Sequence, residues 1–460
     1  MSDTSKAAAR IKALLDAGSF VEIGGQVTAR STDFNLNAEK TPSDGVVTGY
    51  GTIDGNLIYI YSQDASVLGG SIGEMHAKKI SRIYSLAMKT GAPVIGLLDS
   101  TGVRLEEAAD ALDSLGRVLA KMSFASGLIP QITAVFGPCG GALSFIPALS
   151  DFTFIECENG KLFVNSPDAI SGNTTEACDT SSPSFQMEAG NADFAGTEAE
   201  VYAGIRELVT FLPINNEDEG DGGYSEDDLN RSCTGFASYT DPRDQLRVIS
   251  DNAAFFETKR GYADNMVTGF IRLNGFTVGA VANNKTELCA KGMEKAAKFI
   301  GFCDAFNIPV LTLVNATSLH ACECGEKLHP KNGAALACAY ASATVPKVSV
   351  ISGKAFGSAY ILMGSKAMGA DMVYAFETSE IGTMDPKMAA KIISAGEDAD
   401  TMKKTAEEYK ALQNSVLGAA RHGLVDTIIS DADTRKYVIG AFEMLYTKRE
   451  ERPDKKHVSF

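Results

Sequence analysis

Two short runs, Pro93–Leu98 and Val348–Ile351, are apolar throughout, as expected of strands covered on both faces by helices. Ala77–Met88 and Glu294–Ala305 carry the helical period instead, with apolar positions recurring along one face. Elsewhere the pattern alternates around tight turns. Gly51–Ile60 has Asp54-Gly55 at its centre, and Phe270–Gly279 has Asn274-Gly275, both strong hairpin signals. Met1–Gly18 is polar and reads as an amphipathic helix with Ile11, Leu14 and Leu15 on one face.

These elements recur at a constant offset. Pro93 opens an apolar run that ends at Asp99, and Pro309 opens one of the same shape 216 positions later. Pro130 and Pro346, each ahead of a second buried strand, are again 216 apart. Each copy reads as hairpin, helix, buried strand, helix, buried strand, Gly-rich turn and helix. The pattern predicts an α/β protein built from two copies of one fold. A dinucleotide-binding domain is unsupported, because no Gly-x-Gly-x-x-Gly follows a first strand. The most acidic stretch, Asn216–Gly223 followed by Glu226-Asp-Asp228, reads as a solvated linker. It places one domain at 1–225 and the other at 226–460.

Composition narrows the function. At 460 residues two domains are the default, and 45% hydrophobic with 22% charged residues is a globular profile. A net charge of −16 argues against nucleic-acid binding. No apolar run reaches the roughly 18 residues a membrane span needs. The N-terminal segment lacks the basic start and apolar block of a secretory signal, so a cytoplasmic protein is expected. The nine Cys have no framework spacing.

Candidate chemistry gathers at the two Gly-rich turns. The first is Gly137-Pro-Cys-Gly140-Gly141-Ala142, and the second is Gly353-Lys-Ala-Phe-Gly357-Ser358-Ala359. Small residues at the start of a helix let backbone N–H groups face outward and form an oxyanion hole for a thioester enolate or a developing carbonyl oxyanion. Close helix–strand packing would ask for the same residues, but two turns in matching places favour the chemical reading. No Gly-x-Ser-x-Gly elbow or Cys/His nucleophile pattern accompanies them. Asp99 and Arg104 follow a buried strand, where α/β proteins bind ligands; an ordinary ion pair is the alternative.

With these residues in view, the chain resembles the β subunits of propionyl-CoA and acetyl-CoA carboxylases. It also resembles the carboxyltransferase subunits of transcarboxylases and sodium-pumping decarboxylases. The likeness runs through Arg10–Glu22, Asp44–Gly49, Gly69–His76, Gly91–Gly96, Ser126–Gln131, Pro147–Phe154, Phe302–Pro309, Ala343–Lys347, Arg452-Pro453 and Lys455-Lys-His457. The resemblance implies two tandem crotonase-like ββα superhelix domains. It implies acyl-CoA in the first domain, with Gly140 and Gly141 holding the enolate and Gly70, Ser71, Gly102, Arg104 and Ala142 near the CoA. It implies biotin, on a separate carrier, at the second turn, with Ser358 and Ala359 holding the ureido carbonyl beside Gly357 and Ile361. Partners would be biotin carboxylase and biotin carrier protein. Sites in this family form between subunits, so a homo-oligomer from dimer to hexamer is expected.

The second half departs from the family pattern. Where the family reads Asp-x-Pro-Gly-Phe-x-Pro-Gly, this chain has Asn315–Glu326, including His320, Cys322 and Cys324, with His329 just beyond. Thiolate and imidazole at that density are candidate zinc ligands, although Cys-x-x-Cys spacing is absent. Two other readings stay open: the α subunit of a biotin-dependent decarboxylase, and a diverged subunit without biotin chemistry.

Overall fold

A computed structural model describes residues 5–32, 41, 43–218 and 225–451. Residues 1–4 of the segment expected to be helical, the centre of the acidic stretch and the closing Arg452–His457 match lie outside the described residues. The chain divides into two compact units, Met1–Glu219 with Lys259–Tyr262, and Gly220–Thr258 with Ala263–Phe460.

Unit 1 runs α1 (Lys6–Leu14), β1 (Val21–Glu22), β2 (Val46–Ile53), β3 (Asn56–Gln63), α2 (Glu74–Thr90), β4 (Val94–Ser100), α3 (Ala108–Ala125) and β5 (Gln131–Gly140). It continues with α4 (Phe145–Leu149), β6 (Phe152–Glu156), β7 (Lys161–Phe163), α5 (Pro183–Glu188), β8 (Phe194–Gly196) and α6 (Glu198–Phe211). Its sheet has the order β1-β2-β3-β4-β5-β6-β8, with β7 pairing the end of β5. β2 and β3 form the expected hairpin, and β3 through β6 run parallel. The turn needs left-handed backbone at both central residues, and Asp54 and Gly55 supply it with φ of 47° and 84°.

Unit 2 runs α7 (Pro242–Ile249), β9 (Phe255–Thr258), β10 (Met266–Leu273), β11 (Phe276–Asn283), β12 (Glu287–Leu288), α8 (Ala290–Ala305), β13 (Val310–Ala316), β14 (Ser318–Leu319) and α9 (Glu323–Ser342). Then follow β15 (Lys347–Phe356), α10 (Gly357–Leu362), β16 (Met372–Phe376), β17 (Glu380–Gly382), α11 (Pro386–Ile393), α12 (Ala399–Gln413), α13 (Val416–Arg421), β18 (Thr427–Ile429) and α14 (Thr434–Leu445). The sheet order is β18-β16-β15-β13-β11-β10-β9, with β17 on the end of β15.

The two units share details far below the level of topology. β4 and β5 slip register between Leu98 and Ser100, and β13 and β15 slip between Val314 and Ala316. Asp99 N–H donates to Gln63 Oε1 at 3.1 Å, and Asn315 N–H donates to Asn283 Oδ1 at 2.9 Å. Gln131 N–H donates to Asp151 at 2.8 Å, and Lys347 N–H donates to Asp371 at 2.8 Å. The fold is duplicated within one chain.

Each core forms where the apolar strands meet helices. In unit 1, Ile80, Ile83 and Tyr84 of α2 pack with Val118 and Met122 of α3 over Val94 and Leu98. In unit 2, Leu246 and Ile249 of α7 meet Val438 and Ile439 of α14 over Leu311 and Val348. The far end of the acidic stretch is less solvated than expected. Asp227 accepts from Arg231 at 2.9 Å and lies 3.7 Å from the buried Arg435, so this end is tied into unit 2.

Candidate functional site

Both Gly-rich turns follow the longest strand of their unit and open on a glycine in the left-handed region, Gly141 with φ 60° and Gly357 with φ 53°. A side chain is strained there, which explains glycine at two positions 216 apart. A Cβ on Gly141 would meet nothing within 4 Å, so that side of the turn is open. The amide of Gly141 itself donates to the Val164 carbonyl at 3.2 Å, and Gly140 still belongs to β5. Neither residue thus starts the turn with a free amide, and the next amide along is that of Ala142. As the second residue of the helical turn Gly141–Ser144, its amide has no acceptor within that turn. Ser358 stands at the same second position of α10, and Ala359 follows it as the third. α4 and α10 have only five and six residues, so any pull on an oxyanion comes from local N–H groups, not from a long helix dipole.

The loops beside the first turn are held by a buried polar network. Arg104 is 1% exposed. Its Nη1 binds Asp44 and donates to Glu107 at 2.8 Å; Nη2 and Nε donate to the Ser71 carbonyl at 2.7 Å and its hydroxyl at 3.2 Å. The two carboxylates also cap α2: Asp44 accepts from His76 N–H at 2.7 Å, and Glu107 from Glu74 N–H at 2.6 Å. Burial pushes the Asp44 carboxyl up, and the Arg104 charge opposes that.

Burial, then the charge of Arg104, pushes the His76 imidazole down to about 3, so the ring is neutral. The Asp44 carbonyl can only accept, so Nδ1 carries the proton at 2.9 Å and Nε2 accepts from the Gln63 amide at 3.3 Å. Gln63 in turn accepts from Asp99 N–H, and hydrogen bonds thus run unbroken from Arg104 to the end of β4.

Asp99 joins the loop to the turn. A Cβ on Gly70 would lie 2.3 Å from its carbonyl, and one on Gly137 would lie 2.0 Å from its carboxylate. Arg10 pairs with that carboxylate at 2.8 Å. Gly102, with φ 116°, accepts from Ile72 N–H at 2.8 Å. Gly70, Ser71, Gly102 and Arg104 are thus brought together. Arg104, however, is enclosed by protein acceptors.

In unit 2, Ile361 on α10 is exposed and Ala359 is buried. The zinc expectation is corrected. Among the described residues, no group of three or more His, Cys, Asp or Glu could hold a metal ion. His320 pairs with Glu287 at 2.7 Å, Cys324 is exposed, and Cys322 caps α9 by accepting from Gly325 N–H at 3.2 Å. His329 lies buried one to two turns further along α9. A helix starting at Glu323 points Cys322 and Cys324 different ways.

Asp44, His76, Glu107 and Gln63 were missed as site-supporting residues. Asp44 and His76 sit in the blocks Asp44–Gly49 and Gly69–His76, so those blocks were the available signal.

The carboxyl transferase domain model matches residues 4–460. The propionyl-CoA carboxylase beta chain of Roseobacter denitrificans is 39% identical over 97% of this chain and 92% of its own length. The methylmalonyl-CoA decarboxylase subunit alpha of Propionigenium modestum is also 39% identical, over 97% of this chain and 91% of its own. Among solved structures, the hexameric transcarboxylase 12S with hydrolysed methylmalonyl-CoA superposes with a TM-score of 0.93 at 34% identity, covering 99% of this chain and 92% of that one. That match extends over both units and fixes the fold as the tandem crotonase-like one. The chain belongs to the carboxyl transferase domain family, as an enzyme of the type found in propionyl-CoA carboxylase and transcarboxylase.

Proposed function

We propose that this chain moves a carboxyl group between biotin on a separate carrier and the α-carbon of a short-chain acyl-CoA. One observation carries the reading: two turns, each opened by a left-handed glycine and each followed by a helix-start amide, Ala142 or Ser358, with no acceptor within its own turn, recur 216 positions apart. In unit 1, the amide of Ala142, beside the left-handed Gly141, would hold the thioester oxygen as an enolate forms and collapses. In unit 2, Ser358 and Ala359 would hold a carbonyl oxygen in the same way, and the residues fit such a group because donors are backbone N–H. Biotin, when bound, supplies the transferable carboxyl group. Arg104 would serve by fixing Ser71 and the Gly70 loop, since four of its five N–H donors are spent on protein acceptors.

The unit boundaries would divide the work, with acyl-CoA on unit 1 and biotin on unit 2. The partners would be biotin carboxylase and biotin carrier protein, in a cytoplasmic homo-oligomer of two to six chains. Working in the decarboxylase direction is the second reading, favoured by the equal identity to the Propionigenium modestum subunit.

The test is carboxyl transfer in the back direction, with malonyl-CoA or methylmalonyl-CoA and free biotin. Biotin-dependent loss of the carboxyl-CoA is expected, reduced about 100-fold or more by Gly141→Val or Ala359→Leu in protein that keeps its unfolding transition. CoA-ester binding without any turnover would overturn the proposal in favour of a diverged subunit.

A further inference from the structure

The site proposed above leaves one feature of unit 2 unused. Cys322 is the N-cap of α9, a helix of 20 residues, and its Sγ accepts from Gly325 N–H at 3.2 Å. Negative charge is favoured at that end of a helix. His329, one to two turns along, is 8% exposed, and its Nε2 is buried with no hydrogen-bond partner among the described residues. The ring reaches back toward the helix start. A Cβ on Gly325 would lie 2.7 Å from His329 Cε1 and 3.1 Å from Cys322 Sγ. The missing side chain of Gly325 is thus the space that imidazole and thiol share. An orphaned buried nitrogen beside a capped sulfur is costly unless it meets a proton or a ligand.

We infer that Cys322 and His329 form a nucleophilic thiol–imidazole pair, a covalent site for electrophilic carbon bearing a leaving group. The Cys322 sulfur forms the S–C bond as the bond to the leaving group breaks. The leaving group departs with that electron pair, and the thiol proton passes to His329 Nε2 and on to solvent. No oxidant or metal enters. The pair stands next to the second turn, because α10 packs against both β14 and α9. It does not depend on carboxyl transfer, and its test is separate.

The intact chain is treated with iodoacetamide at neutral pH, and alkylation is timed at each cysteine by peptide mass spectrometry. Cys324, two residues on, is exposed while Cys322 is half-buried, so access alone ranks Cys324 faster. The pair predicts the reverse, with Cys322 about tenfold faster. His329→Gln should bring Cys322 down to the Cys324 rate. Gly325→Ala should do the same by displacing the ring, 2.7 Å from the new Cβ, in protein that keeps its unfolding transition although the His320 carbonyl is 3.0 Å away. Cys322 reacting no faster than Cys324, or keeping its lead in both variants, overturns the inference.

Discussion

Arg104 and His320 hold the same place in the two units, 216 positions apart, and so do Ser71 and Glu287. Each pair flanks a matching two-residue contact, Ile72 with Val103 in unit 1 and Leu288 with Leu319 in unit 2. In unit 1 the charge is fully enclosed and met by two carboxylates and Ser71. In unit 2 the His320 and Glu287 side chains are 51% and 52% exposed. A buried guanidinium must have every donor answered, so it locks the loop that carries it. A solvated pair imposes no such demand on the loop that carries it. The duplicated frame tolerates this difference because backbone pairing, not the loop side chains, builds it.

The largest expected effect tests that contrast directly. Arg104→Ala strands two buried carboxylates and should cost about 3–5 kcal/mol in a urea titration, while His320→Ala should cost less than about 1 kcal/mol. Equal losses would break the comparison.

A second contrast lies at the aspartates after β5 and β15. Asp371 is paired with Lys448 at 2.8 Å. Asp151 is only partly buried as a residue, but loss of hydration, and next the nearby charge of Asp193, pushes its carboxyl up to about 7. The folded protein then holds a proton that the unfolded chain gives up. The stabilisation is complete below about pH 4 and lost as pH rises through about 7. His76 acts oppositely: its stabilisation is present above about 6.5 and lost as pH falls toward about 3. The wild-type profile therefore mixes both, and the difference between wild type and Asp151→Asn isolates one. That difference should change by about 2 kcal/mol between pH 5 and 8. A pH-independent difference would remove Asp151 from the account.

The smallest effect sharpens the unit 2 side. Glu287→Gln should shift stability by about 0.5 kcal/mol or less at low ionic strength, and by nothing measurable in 1 M salt. A larger, salt-resistant loss would show that the His320 loop is held more like its counterpart.

Local pattern accounts for much of this protein. The Asp54-Gly55 and Asn274-Gly275 hairpins, the buried strands after Pro93 and Pro309, the helices around Ala77–Met88 and Glu294–Ala305, and the two Gly-rich turns were legible because each rests on short-range periodicity or on a glycine's φ. The constant offset made the duplication legible as well. What the chain pattern left open depends on contacts between residues far apart in order. Asp44 lies 60 positions from Arg104, and only the folded sheet, in which β2, β3 and β4 lie side by side, brings them together. The same cause took Arg104 out of the solvent. The Cys/His density looks like a metal site, yet the start of α9 at Glu323 turns Cys322 and Cys324 different ways and His320 pairs with Glu287 instead. Gly141 showed that a turn belongs there, but the capture of its amide by Val164 follows from β7 pairing with β5. The sequence by itself determined the repeated frame and the places where backbone must bend, since those are local demands on φ and on apolar spacing. Tertiary structure decided which charges are buried and which amides remain free, because burial and hydrogen-bond competition are settled only when distant segments meet.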